Sequence, residues 1–349
     1  MQVAVTADVH LRTQQEYPER YSALDNILAQ LASQDIEMLL VAGDLFDADL
    51  VDYSDFEQLC GQYPSVQIHI IPGNHDAQIN EAKVVGANIH IYTKPEILVV
   101  DSTTILMMPY EPNATMGERL AHTAAEIEKQ HWILVGHGDY MECTQAPSAT
   151  EPGVYMALSR TDLDRYAPTT VILGHIHRAQ TNNNVHYVGS PQGVDITETG
   201  RRTYTVLDTA NGLVTARPVT NDVLYFSESF VIVPVENDAS ILKQKIKRRV
   251  ESWGLERSEY DRVQVRVDAS GFTADRKAIL KTLKNGFRQF SYYDDGPRID
   301  QLRISADYQR NAVAERVQEL VNAMQWDFGG DEPTREAVVM AALSLVYGR

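Results

Sequence analysis

Five short clusters of His, Asp and Asn are the residues of this sequence best suited to chemistry. With the glycines that precede four of them, they are Asp8-x-His10, Gly43-Asp44, Gly73-Asn74-His75-Asp76, Gly136-His137 and Gly174-His175-Ile176-His177. Imidazole nitrogen and carboxylate oxygen without thiolate suit Mn, Fe, Zn or Co. A lone histidine is more often structural than a ligand, but five such clusters predict a metal centre. We interpret the histidines at positions 69, 90, 122, 131 and 186 as surface or satisfied core residues.

Apolar runs typical of β-strands precede these clusters. They cover residues 3–7, 38–43, 68–72, 133–136 and 171–174, and further strand runs lie at 97–100, 104–108, 185–189, 204–208 and 213–219. Binding sites collect at the carboxyl ends of strands in α/β sheets. Leu24, Ile27, Leu28 and Leu31 have helical spacing. This part of the chain therefore predicts layered sheets with helices outside them.

A second block is expected after a linker near residues 221–229. Strands are predicted over 230–235, 262–267, 287–293 and 299–305, the last two as a pair joined by a turn at 294–297. Helices are predicted from Ser240 to about 252 and after an Asp275 cap. Two tail helices are predicted over 309–324 and 334–347. The apolar stripe of the second tail helix, Val338, Val339, Ala342 and Leu345, suits either a partner or the chain's own core.

Charge is distributed unevenly along the chain. The 349 residues carry a net charge of −17, yet residues 240–310 hold 16 Lys and Arg against 10 Asp and Glu. This asymmetry indicates two modules with different roles. Two cysteines exclude a disulfide framework. The sequence has neither an apolar stretch of about 20 residues nor a signal-peptide pattern, so we expect a cytoplasmic protein without a membrane partner.

The five clusters resemble the motifs D-x-H, G-D, G-N-H-D, G-H and G-H-x-H of the calcineurin-like metallophosphoesterase superfamily. Within it, the chain most resembles the SbcD-type DNA repair and recombination nuclease subunit of bacteria and phages and its archaeal and eukaryotic counterparts. Segments 42–47 (AGDLFD) and 187–192 (YVGSPQ) support this resemblance. It implies an α/β fold, a four-layer αββα sandwich over 1–225. A small α+β capping and DNA-binding domain over 226–308 and a helical partner-docking segment over 309–349 would follow.

The resemblance also implies a ligand set for two divalent metal ions, with Mn²⁺ favoured and Mg²⁺ as the alternative. One ion would be held by Asp8, His10, Asp44 and His177. The other would be held by Asp44, Asn74, His137 and His175, so that Asp44 bridges the two ions. The chemistry implied is hydrolysis of phosphodiester bonds by a hydroxide that the two ions activate.

Three further residues near these motifs have expected roles. His75 is not expected to bind metal but to protonate the leaving sugar oxygen. Asp76 is expected either to orient the His75 imidazole or to cap a helix N-terminus. Asp47 stands where some relatives carry a second catalytic histidine. It is interpreted either as a group that supports the metal ligands or as a solvated turn residue.

Phosphate contacts dominate nucleic-acid affinity, so basic residues are candidates for DNA contact. Those of the second block are Lys243, Lys247, Arg248, Lys281 and Lys284. The sequence lacks the G-x-x-x-x-G-K-[ST] phosphate loop, so the resemblance implies that an SbcC-type coiled-coil ATPase acts in trans. A homodimer is also implied.

Three alternatives to a DNA nuclease stay open. A calcineurin-like phosphodiesterase acting on small nucleotide substrates would use the same motifs. A protein phosphatase is less favoured, because Asp44 lacks the Asp-Arg-Gly continuation. A non-catalytic scaffold would require lost ligands, and all the expected ligands are in the sequence.

Overall fold

The structure is a computed structural model that describes residues 1–123, 127, 131–143, 153–234, 237–305, 310–324 and 333–347. The chain divides into two compact units. The first comprises residues 1–194 and 201–222, and the second comprises residues 195–200 and 223–349. Within the described residues, no helix has the length and apolar character needed to cross a membrane.

The first unit contains twelve strands and four helices among its described residues. In chain order these elements are β1 (Gln2–Thr6), α1 (Pro18–Ser33), β2 (Met38–Ala42), α2 (Ser54–Gly61), β3 (Gln67–Ile71), β4 (Ile89–Ile91), β5 (Glu96–Val100), β6 (Thr103–Met108), α3 (Met116–Thr123), β7 (Trp132–His137), α4 (Arg160–Tyr166), β8 (Thr170–Gly174), β9 (Gln180–Asn182), β10 (Val185–Tyr187), β11 (Thr203–Asp208) and β12 (Leu213–Pro218).

These strands form two six-stranded sheets, ordered β12-β11-β1-β2-β3-β4 and β5-β6-β7-β8-β10-β9. Strands β1 to β4 are parallel, as are β6, β7, β8 and β10. Inward-facing side chains such as Val5, Leu40, Ile105 and Ile133 form one core between the sheets. Separate cores lie beneath α1 and α2 on one outer face and beneath α3 and α4 on the other. The expected four-layer αββα arrangement is confirmed.

His69 on β3 is a buried histidine that satisfies its polar atoms inside the first unit. Its Nδ1 lies 2.7 Å from the Tyr92 hydroxyl, and its ring stacks on His90 at 4.7 Å between centroids. Burial, and then the neighbouring His90, lower the pKa of His69 from 6.5 to about 4. The folded protein therefore holds this imidazole in its neutral form.

This shift predicts a stability loss on acidification. Because the unfolded chain takes up the proton at a higher pH than the folded chain, stability falls as the pH drops from about 6.5 towards 4. His69→Phe keeps a stacked aromatic ring but removes the titrating group. The pH-dependent loss in its free energy of unfolding should therefore be about 1–2 kcal/mol smaller than that of wild type, after allowance for solvent screening. Urea unfolding of both proteins at pH 7 and pH 4.5 measures the difference. Equal pH dependence in the two proteins would contradict the assignment.

The second unit contains a four-stranded sheet with helices on both faces. In chain order its elements are β13 (Leu224–Ile232), α5 (Asp238–Ser252), a 3₁₀ helix (Arg257–Arg262), β14 (Val263–Thr273), α6 (Arg276–Gly286), β15 (Ser291–Tyr292), β16 (Leu302–Ile304), α7 (Asn311–Ala323) and α8 (Arg335–Val346). Helices α5 and α6 pack on one face through Leu242, Ile246, Ile279 and Leu283. Helices α7 and α8 pack on the other face, against Val231, Val233 and Phe272.

Two predictions for this unit are wrong in part. The expected linker at 221–229 lies largely in β13, because Leu224 and Phe226 alternate with polar residues and point into the core. Strands β15 and β16 each pair in parallel with β14 rather than with each other. The apolar stripe of α8, for which both a partner and the core stayed open, divides: Val339 is buried with Val338 packed beside it, whereas Leu345 is 84% exposed. Asp275 does cap α6, since its side chain accepts from the amides of the second and third helical residues. Residue 309, the predicted start of the first tail helix, lies outside the described residues.

Candidate metal centre

The five clusters come together at the carboxyl ends of parallel strands in the first unit. Asp8 and His10 follow β1, Asp44 follows β2, Asn74 to Asp76 follow β3, His137 ends β7, and His175 and His177 follow β8. Four of these residues, Asp8, His10, Asp44 and His175, have positive φ angles of 53°, 50°, 51° and 95°. A positive φ angle is energetically unfavourable for residues other than glycine, and residues with this conformation are concentrated at functional sites.

Two glycines of the motifs allow the strand ends to approach each other. A Cβ on Gly174 would overlap the Ala42 carbonyl oxygen, and a Cβ on Gly73 would overlap the Asp44 carboxylate. Of the four motif glycines, only Gly43 has a positive φ, at +87°. Gly73 and Gly174 therefore make room for neighbouring groups rather than for a left-handed backbone.

The first group of possible ligands is formed by Asp8, His10 and His177, whose donor atoms lie within 4.8 Å of one another. The Nε2 atoms of His10 and His177 are 3.0 Å apart. Asp8 is fully buried. Its Oδ1 accepts from the His175 amide at 2.8 Å, while Oδ2 has no hydrogen-bond partner among the described residues.

The second group is formed by Asp44, Asn74, His137 and His175. His137 Nε2 lies 3.3 Å from Asp44 Oδ2 and 2.8 Å from Asn74 Oδ1, and His175 Nδ1 lies 3.2 Å from the same Asn74 oxygen. His137 Nδ1 is 2.9 Å from the Ala42 carbonyl, to which it donates a hydrogen bond, so Nε2 is the ring nitrogen directed at the group. Asp44 Oδ2 is also 3.9 Å from His10 Nε2, which places Asp44 between the two groups.

The electrostatics of these residues fit divalent cations. Burial raises the pKa of Asp8 to about 6, because a carboxylate oxygen without a partner is costly inside a protein. Burial, and then the nearby His177, lower the pKa of His10 to about 3. His10 is therefore a neutral imidazole with a lone pair to donate. A cation between these nitrogen and oxygen donors would offset the cost of the buried carboxylates, so the residues present fit the two metal ions that the resemblance implies.

His75 lies beside these groups with its ring half-buried. Its ring meets that of His10 edge to face at 4.7 Å between centroids. Its backbone amide donates to Asp44 Oδ1 at 2.8 Å, which fixes the chain at this point. One ring nitrogen of His75 also lies within 4.8 Å of donor atoms of His10 and Asp44, so the imidazole borders the candidate centre.

Asp76 is buried and holds two loops together through backbone amides. Oδ1 accepts from the Gly73 amide at 2.6 Å, and Oδ2 accepts from the Phe46 amide at 3.1 Å. No helix of the described residues begins at Asp76, so the helix-cap interpretation is wrong. The expected role of Asp76 in orienting His75 stays a prediction.

Arg20 and Asp47 support the loop that carries His10. The buried Arg20 guanidinium donates to the His10 carbonyl and lies 3.9 Å from Asp47 Oδ2. Arg12 Nε lies 3.1 Å from the same oxygen. Asp47 therefore takes part in an ion network behind His10 rather than standing alone in a solvated turn. Nothing in the sequence pattern identifies Arg20, because it lies on α1 far from the motifs.

Asp139 is a further buried carboxylate that the motif analysis missed. It follows β7, two residues after His137, and its Oδ2 accepts from the Tyr155 amide at 2.7 Å. Its Oδ1 lies 3.7 Å from His175 Nε2, while His175 Nδ1 faces Asn74. This carboxylate favours the tautomer of His175 in which Nδ1 is free to bind a cation.

Asp139→Asn should therefore weaken metal binding. Loss of an outer carboxylate that orients a metal-binding histidine costs about 10- to 100-fold in affinity. Titration of the metal-free protein with Mn²⁺ by calorimetry measures the change without any turnover assay. Asp164→Asn, on the exposed surface of α4, is the matched control. Unchanged Mn²⁺ affinity in Asp139→Asn would rule out this positioning role.

The candidate DNA-binding residues lie on helices of the second unit. Lys243, Lys247 and Arg248 are exposed on α5, and Lys281 and Lys284 are exposed on α6. Lys247 forms an exposed pair with Glu251 at 3.7 Å. The structure brings these five residues onto two neighbouring helices, and their contact with DNA stays a prediction.

Comparison with known proteins finds several solved structures and one protein family that are similar to this chain. No curated protein matches the chain. Among solved structures, the protein TT1561 of Thermus thermophilus has 14% identity, covers 63% of this chain and 99% of its own, and gives a TM-score of 0.42. A dimetal phosphatase from Danio rerio has 10% identity, covers 63% and 96%, and gives a TM-score of 0.45. An archaeal phosphodiesterase has 13% identity, covers 63% and 100%, and gives a TM-score of 0.34.

The decisive comparison is with a protein family rather than with any one structure. The profile of the calcineurin-like phosphoesterases matches residues 1–179, which hold all five motifs. The described motif residues form adjoining His and Asp groups able to hold metal ions. The chain belongs to the calcineurin-like phosphoesterase family.

Proposed function

We propose that this chain is a metal-dependent DNA nuclease and the nuclease subunit of an SbcC-SbcD-like complex in DNA repair and recombination, acting in the cytoplasm. The observation that carries its phosphodiesterase chemistry is the position of Asp44 between the two ligand groups. Its Oδ2 lies 3.3 Å from His137 Nε2 and 3.9 Å from His10 Nε2. One carboxylate oxygen can thus serve both groups.

In this proposal, Asp8, His10, Asp44 and His177 hold one ion, and Asp44, Asn74, His137 and His175 hold the other. When bound, two divalent ions activate water and offset charge on the phosphoryl oxygens. The nitrogen and oxygen donors suit Mn²⁺, with Mg²⁺ as the weaker fit, because Mg²⁺ prefers oxygen ligands.

His75 supplies the proton that the leaving oxygen requires. Its imidazole is half-exposed at the rim, where a substrate can reach it, and its backbone is fixed by the hydrogen bond to Asp44. A histidine in this position can protonate the leaving sugar oxygen as the phosphorus–oxygen bond breaks. Asp76 holds the loop that carries His75.

The proposed DNA contacts use the basic helices of the second unit. The chain is acidic overall, at −17, which opposes the approach of a polyanion. Lys243, Lys247, Arg248, Lys281 and Lys284 on α5 and α6 would provide a local basic surface. The SbcC-type ATPase would act in trans, and α8 presents the exposed Leu345 as a candidate contact for it. A homodimer through helices of the first unit belongs to the same proposal.

The second candidate function is a phosphodiesterase for small nucleotide substrates. The same ligand groups serve a small diester equally well, because the ions they would hold act on the phosphate that both substrates share. The net charge of −17 favours this candidate, since a small anion meets less total repulsion than DNA. The basic residues on α5 and α6 favour the DNA nuclease.

The experiment that separates the two candidates is cleavage of end-labelled single- and double-stranded DNA with Mn²⁺. A cyclic dinucleotide and bis-p-nitrophenyl phosphate are assayed in parallel. Wild type, Asp44→Asn and His75→Asn are compared, each with and without an SbcC-type partner. DNA cleavage that depends on metal and on both residues supports the nuclease. Cleavage of the small diesters alone, even with the partner, would reject the nuclease and support the second candidate.

A further inference from the structure

A basic cleft lies in the second unit between α5 and the tail helices α7 and α8. Its volume is about 330 Å³. Its cations are Lys245, Arg248 and Arg249 from α5 and Arg335 from α8, and the one carboxylate among the described residues of its lining is that of Glu336. The cleft thus concentrates positive charge in a chain that is otherwise acidic.

The sequence spacing on α5 creates this lining. Leu242 and Ile246 bury one face of the helix in the core of the sheet. Lys245, Arg248, Arg249 and Ser252 recur at i, i+3, i+4 and i+7, which places them on one continuous face. That face turns towards α7 and α8, where Gln318 and Asn322 complete the lining. Ser229, Phe230 and Val231 of the edge strand β13 line the cleft between α5 and the tail helices, which pack on opposite faces of the sheet.

Two of the four cations in the cleft, Lys245 and Arg248, have no ionic partner among the described residues. Arg249 is paired, with its Nε 3.2 Å from Glu228 Oε2. Lys245 and Arg248 form no ion pair or hydrogen bond with any described residue. Lys245 keeps part of its side chain in solvent, yet the atoms around it lower the pKa of its ammonium by desolvation. Cations that share a cleft without ionic partners repel one another. A bound anion would offset this repulsion and so lower the electrostatic free energy of the folded protein.

The shape of the cleft restricts which anion can enter. Small-molecule sites occupy about 300–1,000 Å³, and this cleft lies at the lower end of that range. A DNA duplex is too wide for it, whereas a phosphate group with a small substituent fits. Arginine and lysine side chains that converge from one helix face are suited to phosphate oxygens. Ser229, Ser252, Gln318 and Asn322 offer hydrogen-bond donors around the same space.

We propose that this cleft binds the phosphate group of a small anion, through Lys245 and Arg248 with support from Arg249 and Arg335. The ligand class is a phosphate monoester or diphosphate, from a free nucleotide or from the 5′ end of a short single strand. A bound phosphate would join α5 to α8, so it would also stabilise the packing of the tail helices. The site is separate from the candidate metal centre and does not depend on the proposed nuclease activity.

Calorimetric titration of the full-length protein with inorganic pyrophosphate tests the proposal. A chelator is present throughout, so that the metal centre cannot hold phosphate. Wild type is compared with Lys245→Gln and Arg248→Gln, and Lys277→Gln on α6 is the matched control because it removes one exposed lysine outside the cleft. Thermal unfolding without ligand confirms that all four proteins are equally folded.

We expect wild type and Lys277→Gln to bind pyrophosphate with equal affinity, and each cleft variant to bind at least about tenfold more weakly. The thermal midpoint of wild type should rise with pyrophosphate, and that of the cleft variants should rise less. A deoxynucleoside monophosphate and a 5′-phosphorylated trinucleotide are then titrated, and the tighter ligand identifies the source. No pyrophosphate binding by wild type, or binding that survives both cleft substitutions, would overturn the proposal.

Discussion

Asp44→Asn should abolish metal-dependent phosphodiester hydrolysis, with kcat falling by about 10³-fold or more. Asp44 Oδ2 lies between His10 and His137 and is the oxygen placed to serve both ligand groups. An amide of the same size keeps one acceptor for the His75 backbone amide, so the loop geometry is retained. It removes the negative charge that two dications need between them. The loss should therefore come from the metal centre and not from misfolding.

The effect is measured with bis-p-nitrophenyl phosphate and Mn²⁺, together with the Mn²⁺ content of the protein after dialysis. Asp49→Asn is the control, because its side chain is 85% exposed and lies five residues along the same loop. We expect Asp44→Asn to retain fewer ions than Asp49→Asn. Full activity and full metal content in Asp44→Asn would show that the shared carboxylate is not needed.

His75→Asn should reduce hydrolysis of sugar phosphodiesters by about 10²- to 10⁴-fold while leaving metal binding unchanged. The His75 ring flanks His10, and one of its nitrogens lies within 4.8 Å of donor atoms of His10 and Asp44, but the proposal assigns it to neither ion. In the proposed mechanism, His75 protonates a poor leaving group. A p-nitrophenolate leaving group needs little protonation, so bis-p-nitrophenyl phosphate should lose far less activity than a dinucleotide.

The contrast between the two substrates separates proton transfer from general damage to the site. His122→Asn, near the end of α3, is the control for the loss of an exposed imidazole. Equal losses on both substrates, or a fall in Mn²⁺ affinity, would show that His75 acts as a metal ligand or a structural group instead.

Most of the candidate centre was predictable from the sequence, for a physical reason. Parallel strands end at one edge of a sheet, so polar residues that follow apolar runs must lie near one another. Asp8, Asp44 and His137 obey this rule and meet in the structure. Asp139 and Arg20 were not predicted, because their contacts with the metal-site histidines are not indicated by any local sequence motif. Asp139 reaches His175 from a neighbouring strand end, and Arg20 reaches His10 from a helix.

The second unit was predicted less well, because its strands carry weaker signals. A linker was predicted near residues 221–229, yet Leu224, Phe226 and Phe230 on β13 point into a core. The turn at 294–297 suggested a hairpin, whereas β15 and β16 join the same strand, β14, in parallel. Pairing partners of short strands depend on the whole sheet and cannot be obtained from turn residues alone.

Anomalous diffraction from crystals grown with Mn²⁺ tests the central claim most directly. The account predicts two anomalous peaks about 3.5–4 Å apart, one on each side of Asp44. One peak should be near Asp8, His10 and His177, and the other near Asn74, His137 and His175. A single peak that does not contact Asp44, or no peak within reach of these residues at saturating Mn²⁺, would contradict the two-metal centre.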